Sequence, residues 1–241
     1  MRFSDPSVAA GLEELASRGA SRVAAIVLSP QFSPLLMGGY EKAIEAARAE
    51  LGDRAPDVAL AGAWHLEPAF VAAVGRRIHE SLEGFPADVR PTVPVLLTAH
   101  SLPRRVADRE PGYLTQLRET AEAIAAAAGL GPDAWRFCWQ SAGHEPGEWM
   151  KPDFADLMPE LAAAGNTTVL VAPVQFLSDH LEVLYDVDVG ARAQAKLAGL
   201  QFARIQSLNV DPGFIEALAS VAVSTLDRTA MVGRRSKTPV A

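Results

Sequence analysis

The sequence contains a single cysteine, Cys138, in 241 residues. One thiol excludes an intrachain disulfide, and it excludes an iron–sulfur cluster or zinc centre built from several thiolates. Long apolar runs are missing as well. No stretch approaches the ~20 residues that a membrane-spanning helix needs, and the opening MRFSDPS lacks the apolar segment of a signal peptide. Positive charge is scarce: 22 Lys and Arg stand against 29 Asp and Glu, a net charge of −7. That balance argues against a nucleic-acid surface. No G-x-G-x-x-G or phosphate loop follows the first predicted strand, so nucleotide binding has no support. Ser101 lacks the G-x-S-x-G elbow of a nucleophile. These absences leave a soluble cytoplasmic protein whose chemistry must rest on other residues.

Hydrophobic residues make up 49% of the chain and charged residues 21%, enough for one large domain or two small ones. The first third alternates helix and strand. A helix capped by Asp5, with Pro6 in its first position, ends at Gly19. The strand RVAAIVLSP follows, then a loop through Gly38-Gly39, a helix over Tyr40 to Leu51, the strand DVALAGAW and a helix over Pro68 to Leu82. After a polar, proline-bearing stretch the pattern restarts. A strand over Val93 to Ala99 ends on His100, the segment SLPRRVADREPG reads as a loop, and a helix covers Tyr113 to Ala128. A strand over Trp135 to Gln140 and a helix over Phe154 to Ala164 come next. Then follow the apolar strand Thr167 to Leu177, an acidic helix to about Leu197, a strand over Gln201 to Ser207 and a last helix over Phe214 to Leu226. Such alternation predicts an α/β fold with parallel sheets. The tail MVGRRSKTPVA (231–241) lacks an apolar period and is read as disordered.

The segment Ser178 to Asp188, SDHLEVLYDVD, concentrates the candidate chemistry. Its place at the end of a strand is where open α/β sheets hold ligands. Ser178 or Asp179 can cap the helix. Asp179, Glu182 and Asp186 share one helical face at i, i+3 and i+7, beside His180. Acids there also stabilise a helix start through its dipole, each by ~0.3–1 kcal/mol, with no chemistry implied. His100 ends another strand of the same half. A histidine and a carboxylate from separate strand ends can form a partial metal site or an acid/base pair, and two ligands suit a transient metal better than a structural one. Trp64-His65 reads as surface packing, and His79 and His144 as solvent-facing. Tyr40, at a predicted helix start, either covers a planar ligand or packs there.

Three stretches, TAHSLP (98–103), WQSAGHEPGEWMKPD (139–153) and SDHLEVLYDVD (178–188), together resemble the ferrochelatase family in order and separation. The resemblance runs from about Met1 to Leu226. It implies the chelatase fold: two Rossmann-like parallel-sheet lobes with a porphyrin cleft between them. Residues 1–90 would form the first lobe and 91–212 the lobe with the metal site. Residues 213–227 would form a helix leaning back on the first lobe, and 228–241 a flexible tail. Because MRFSDPS matches family sequence well inside the first lobe, that lobe is expected to be incomplete.

The resemblance further implies that Fe²⁺ and a porphyrin are substrates, with no redox cofactor and no iron–sulfur cluster, in a protein expected to be monomeric. The family's metal-site histidine falls on His100 and its glutamate on Glu182, which carry the catalytic and metal-binding roles together. A porphyrin-contacting tyrosine falls on Tyr40. A line of acids serving as a metal or proton path falls on Glu182 and Asp186, but its next position is Gly190. The length of the turn between Gln140 and Trp149, with GGYEK and IVLSPQFS, resembles the branch that uses coproporphyrin III. Protoporphyrin IX as substrate, or porphyrin binding without metalation, are the alternatives.

Overall fold

The computed structural model describes residues 5–143 and 146–235. They fall into two compact units: the chain up to Trp64 together with the chain from Glu216, and His65–Ile215.

In the first unit α1 (Val8–Ser17) is capped by Ser7, whose hydroxyl accepts from the Ala10 N–H at 3.1 Å. Ser7, not Asp5, is the extended residue at the helix entry, so the expected Asp5-Pro6 start is displaced. Strands β1 (Arg22–Ala25) and β2 (Asp57–Leu60) pair in parallel, Arg22 opposite Asp57. Both are shorter than their apolar runs suggest, because pairing ends where the Ala61 N–H bonds the Ala25 carbonyl at 2.8 Å. Between them α2 (Pro34–Leu51) begins well before Tyr40. The Met37 N–H bonds the Ser33 carbonyl at 2.8 Å, so Gly38-Gly39 lies inside the helix despite its poor propensity.

The second unit contains α3 (Pro68–Glu83), β3 (Val95–His100), a single turn α4 (Arg104–Ala107), α5 (Pro111–Ala127), β4 (Trp135–Gln140), α6 (Phe154–Ala163) and β5 (Thr168–Pro173). A π-helix (Val183–Ala191) then runs directly into α7 (Arg192–Leu197), followed by β6 (Gln201–Arg204) and α8 (Pro212–Arg235). The turn α4 lies within the segment read as a loop. Helix α8 continues past Leu226 through part of the expected tail, and its residues from Glu216 group with the first unit.

The four-stranded sheet is entirely parallel, in the order β4-β3-β5-β6. All residues of β5, and all of β3 except His100, are buried, as central parallel strands require. One face packs Leu96, Val169 and Val171 with Cys138 against Leu157 and Met158 of α6 and Val187 and Ala191 of the π-helix. Ala99 and Trp139 belong to a second cluster with Tyr113 and Leu117 of α5. The chain passes from β3 to β4 on one side, then crosses to β5 on the other. The order therefore reverses between β3 and β5, and the carboxyl ends of these strands flank the switch point where such sheets bind ligands.

Candidate active site

His100 is the last residue of β3 and lies opposite Gln140, the last residue of β4. Its backbone N–H donates to Gln175 Oε1 at 2.7 Å, and Gln175 Nε2 is bonded to the Tyr113 hydroxyl. The imidazole is held at both nitrogens: Nδ1 is bonded to the Ser101 carbonyl, and Nε2 lies 2.9 Å from Glu182 Oε1. Phe176 sits edge-on to His100, at 6.2 Å between ring centres, and edge-on to His180 at 4.8 Å.

The carbonyl at Nδ1 selects the tautomer. In the neutral ring the proton sits on Nδ1, and Nε2 offers its lone pair toward Glu182. In the charged ring both N–H groups have an acceptor. Burial lowers the imidazole pKa, but the Glu182 hydrogen bond, the Ser101 carbonyl and the charges of Glu182 and Asp186 outweigh it and leave it raised. On the other side, the His100 hydrogen bond holds the Glu182 carboxyl below its usual range against partial burial. The charge of His100, a hydrogen bond from Ser141 and the charge of His180 act in the same direction.

A broad concavity of about 710 Å³ is lined by His180, Leu181, Glu182, Tyr185 and Asp186. Leu181 and Tyr185 are exposed there at 82% and 65%, an apolar surface beside a polar pair. Asp186 also borders a second concavity with Gln140, Ser141, Asp153 and Gly190. Among the described residues no group of three or more His, Cys, Asp and Glu side chains is arranged to hold a metal ion.

The sequence-predicted residues separate. His100 and Glu182 meet, and Asp186 lies one turn onward in the π-helix. Asp179 does not join them on one face. Its carboxylate accepts from Ser207, Asn209 and Arg204 at 2.8, 3.0 and 3.2 Å. Nor does it cap the helix: the Leu184 N–H bonds the His180 carbonyl at 3.0 Å, so the helix entry falls one residue after Asp179. Tyr40 lies in the interior of α2, in the first unit, bordering a cavity of about 350 Å³ with Leu12, Val27, Ile44 and Leu60. The Ser101 hydroxyl is spent on the Met150 carbonyl at 3.2 Å. Trp64 is buried, its indole N–H bonded to the Val27 carbonyl, whereas His79 is exposed beside Glu83. His144 lies outside the described residues. Sequence reasoning passed over Gln175 and Ser141. The signal for both was their position, just past the ends of β5 and β4.

The family model for ferrochelatase matches residues 1–226. The chain belongs to the ferrochelatase family. It is 38% identical over 221 residues to a ferrochelatase of Herpetosiphon aurantiacus, covering 92% of this chain and 72% of that protein. It is 33% identical over 224 residues to a coproporphyrin III ferrochelatase of Geobacillus kaustophilus, covering 92% and 70%. Among solved structures, SirB from Bacillus subtilis with Fe³⁺ superposes with a TM-score of 0.61 at 14% identity, over 91% of this chain and 79% of that one. That likeness, with the parallel sheets, makes the fold chelatase-like. No helix among the described residues is long and apolar enough to cross a membrane.

Proposed function

We propose that this ferrochelatase-family chain inserts Fe²⁺ into coproporphyrin III, a step of heme biosynthesis, at the His100–Glu182 pair. The observation that carries the proposal is the 2.9 Å approach of His100 Nε2 to Glu182 Oε1 at the switch point of a parallel sheet. Coproporphyrin III is favoured over protoporphyrin IX by the relatives that bear its name and by the Gln140 to Trp149 turn.

Metalation exchanges one Fe²⁺ for two pyrrole protons. His100 is suited to receive a proton, because the charged ring finds the Ser101 carbonyl on one side and Glu182 on the other. Glu182, kept ionised, offers the incoming iron an oxygen. Asp186 then relays protons toward solvent. A resident metal would block this exchange, and a two-residue site holds the ion only in passing. The exposed faces of Leu181 and Tyr185 give a flat apolar macrocycle a surface to lie on. Tyr40 is assigned a porphyrin contact by the family resemblance alone.

The test is anaerobic mixing with Fe²⁺ and either coproporphyrin III or protoporphyrin IX, followed by absorbance. Conversion of coproporphyrin III to its iron form, faster than protoporphyrin IX and lost in His100→Ala, is the expected result. A porphyrin that binds but keeps its metal-free spectrum would make the chain a porphyrin carrier and end the proposal.

A further inference from the structure

Strand β5 lets go of both its neighbours at the same point. On the β6 side the last rung is the Ile205 N–H to the Val171 carbonyl at 3.0 Å, and Pro173 then has no N–H to offer. On the β3 side the last rung is the Val174 N–H to the Thr98 carbonyl, also at 3.0 Å. Parallel register would carry the next one from the His100 N–H to the Val174 carbonyl. That N–H goes instead to the side chain of Gln175, whose Oε1 accepts it at 2.7 Å. The backbones of β3 and β5 thus part at His100, and a side chain takes the place of the missing carbonyl. The other end of the amide is held as well. A backbone N–H can only donate, so the oxygen faces His100 and the NH₂ donates to the Tyr113 hydroxyl. Tyr113 is 3% exposed in α5, within the cluster that also holds Ala99 and Trp139.

We propose that Gln175 is a positioning residue for His100: its amide clamps the end of β3 from the β5 side and so sets where the imidazole meets Glu182. The proposal rests on the metalation reading given above. From the β4 side the clamp is backbone, with the Ser101 N–H donating to the Gln140 carbonyl at 2.7 Å. Gln175 supplies the hold on the opposite side. The imidazole follows this peptide closely, because its Nδ1 is bonded to the Ser101 carbonyl. A shift of the backbone therefore moves the ring, and with it the 2.9 Å approach of Nε2 to Glu182 Oε1. Misplacement by about 1 Å can cost about 100-fold in rate, and outer partners that orient a ligand typically change affinity or activity about 10–100-fold when removed. Gln175 neither gives nor takes an atom, and it acts through His100.

Two substitutions separate holding His100 from merely filling space. Gln175→Met keeps the length of the side chain and removes both bonds. Gln175→Glu keeps one oxygen for the His100 N–H and offers the other to the Tyr113 hydroxyl proton. Both are assayed well below their melting transitions, so loss of folded protein does not enter. Under the proposal Gln175→Met lowers kcat for iron insertion about tenfold. The KM for porphyrin does not move, since Leu181 and Tyr185 lie on another element. Gln175→Glu keeps at least half of the wild-type kcat, although its sheltered charge makes it the less stable of the two. Stability and turnover then run in opposite order, which a purely structural role does not produce. Amide relaxation by NMR reads the clamp with no substrate present. The order parameter of the His100 N–H falls from the rigid value of about 0.85 to below about 0.6 in Gln175→Met and stays high in Gln175→Glu. Wild-type kcat in Gln175→Met would overturn the proposal, as would equal losses in the two variants. His100→Ala is assayed alongside. A dead His100→Ala beside a fully active Gln175→Met defeats only the role of Gln175. Undiminished iron insertion in His100→Ala defeats the metalation reading, and an unmoved His100 order parameter in Gln175→Met then removes the clamp as well.

Discussion

Asp179 and Asn209 bond each other in both directions: the Asp179 N–H donates to Asn209 Oδ1 at 2.9 Å, and Asn209 Nδ2 donates to Asp179 Oδ2 at 3.0 Å. Asn209 holds a left-handed φ of +47° to do so. The pair ties the segment leaving β5 to the segment leaving β6. Arg204 completes the tie, giving two bonds to Asp188 in the π-helix, at 2.7 and 3.0 Å, and one to Asp179. The entry to the helix that carries Glu182 is therefore held at both ends.

Arg204→Lys tests that hold. A lysine keeps the charge but cannot reproduce the planar fork. Loss of the paired bonds among half-buried groups is expected to cost about 1–3 kcal/mol in urea unfolding. Iron insertion falls at the same time, because Glu182 rides on the loosened helix. An unchanged unfolding midpoint would show that the network contributes nothing.

Gln175→Leu removes the acceptor for the His100 N–H and the partner of the Tyr113 hydroxyl. Both left-behind groups are sheltered, and burial has already pushed the Tyr113 hydroxyl up to about 12. An unsatisfied sheltered donor costs about 1–3 kcal/mol, read as a lower melting temperature. Slower metalation should accompany it, since the His100 backbone loses its anchor.

Gly75 marks the close approach of α3 to α5. A Cβ there would lie 3.0 Å from Ala127 Cβ and 3.1 Å from its carbonyl carbon. Because part of the obstacle is backbone, Gly75→Ala is expected to destabilise by about 1–3 kcal/mol, overriding alanine's better helix propensity. Chemical denaturation of the two forms decides it.

Asp211 gives an acid limb to stability. Its side chain is 5% exposed, between Arg76 Nη2 at 2.7 Å and Arg77 Nη2 at 3.0 Å, and it accepts from the first N–H groups of α8. Burial alone would raise its pKa. The Arg76 hydrogen bond and the Phe214 and Gly213 N–H groups prevail, so it lies below the ordinary 3.8. A carboxyl depressed on folding stabilises fully above its unfolded value and loses that contribution as pH falls through the folded one. Asp211→Asn should therefore be less stable than wild type at neutral pH, and the difference should shrink below about pH 4. Unfolding midpoints measured from pH 7 to pH 3 test this.

The sheet of the second unit was legible because its signals agreed. β4 begins and ends where the sequence places it, and β5 follows the apolar run whose burial on both faces its composition required. The misplaced edges arose where local propensity and tertiary packing disagree. Gly38-Gly39 looked like a loop and is helical, and the capping role passed from Asp5 to Ser7. In the site, His100 and Glu182 could be paired from two strand ends, because parallel register carries both to one edge. Helical spacing then failed for Asp179, since that argument presumes a helix and the chain becomes helical only afterwards. Gln175 acts through a backbone N–H and Ser141 sits in a left-handed turn, and neither feature leaves a pattern in side-chain spacing.

Cys138 is wholly buried in the layer between the four-stranded sheet and α6, and its surroundings push the thiol pKa up. It is the one sulfhydryl in the chain. Alkylating reagents attack the thiolate, so they can reach this sulfur only when the sheet parts. The protein thus carries its own clock. The pace at which a label appears on that sulfur reads how often the core opens, with no engineered probe.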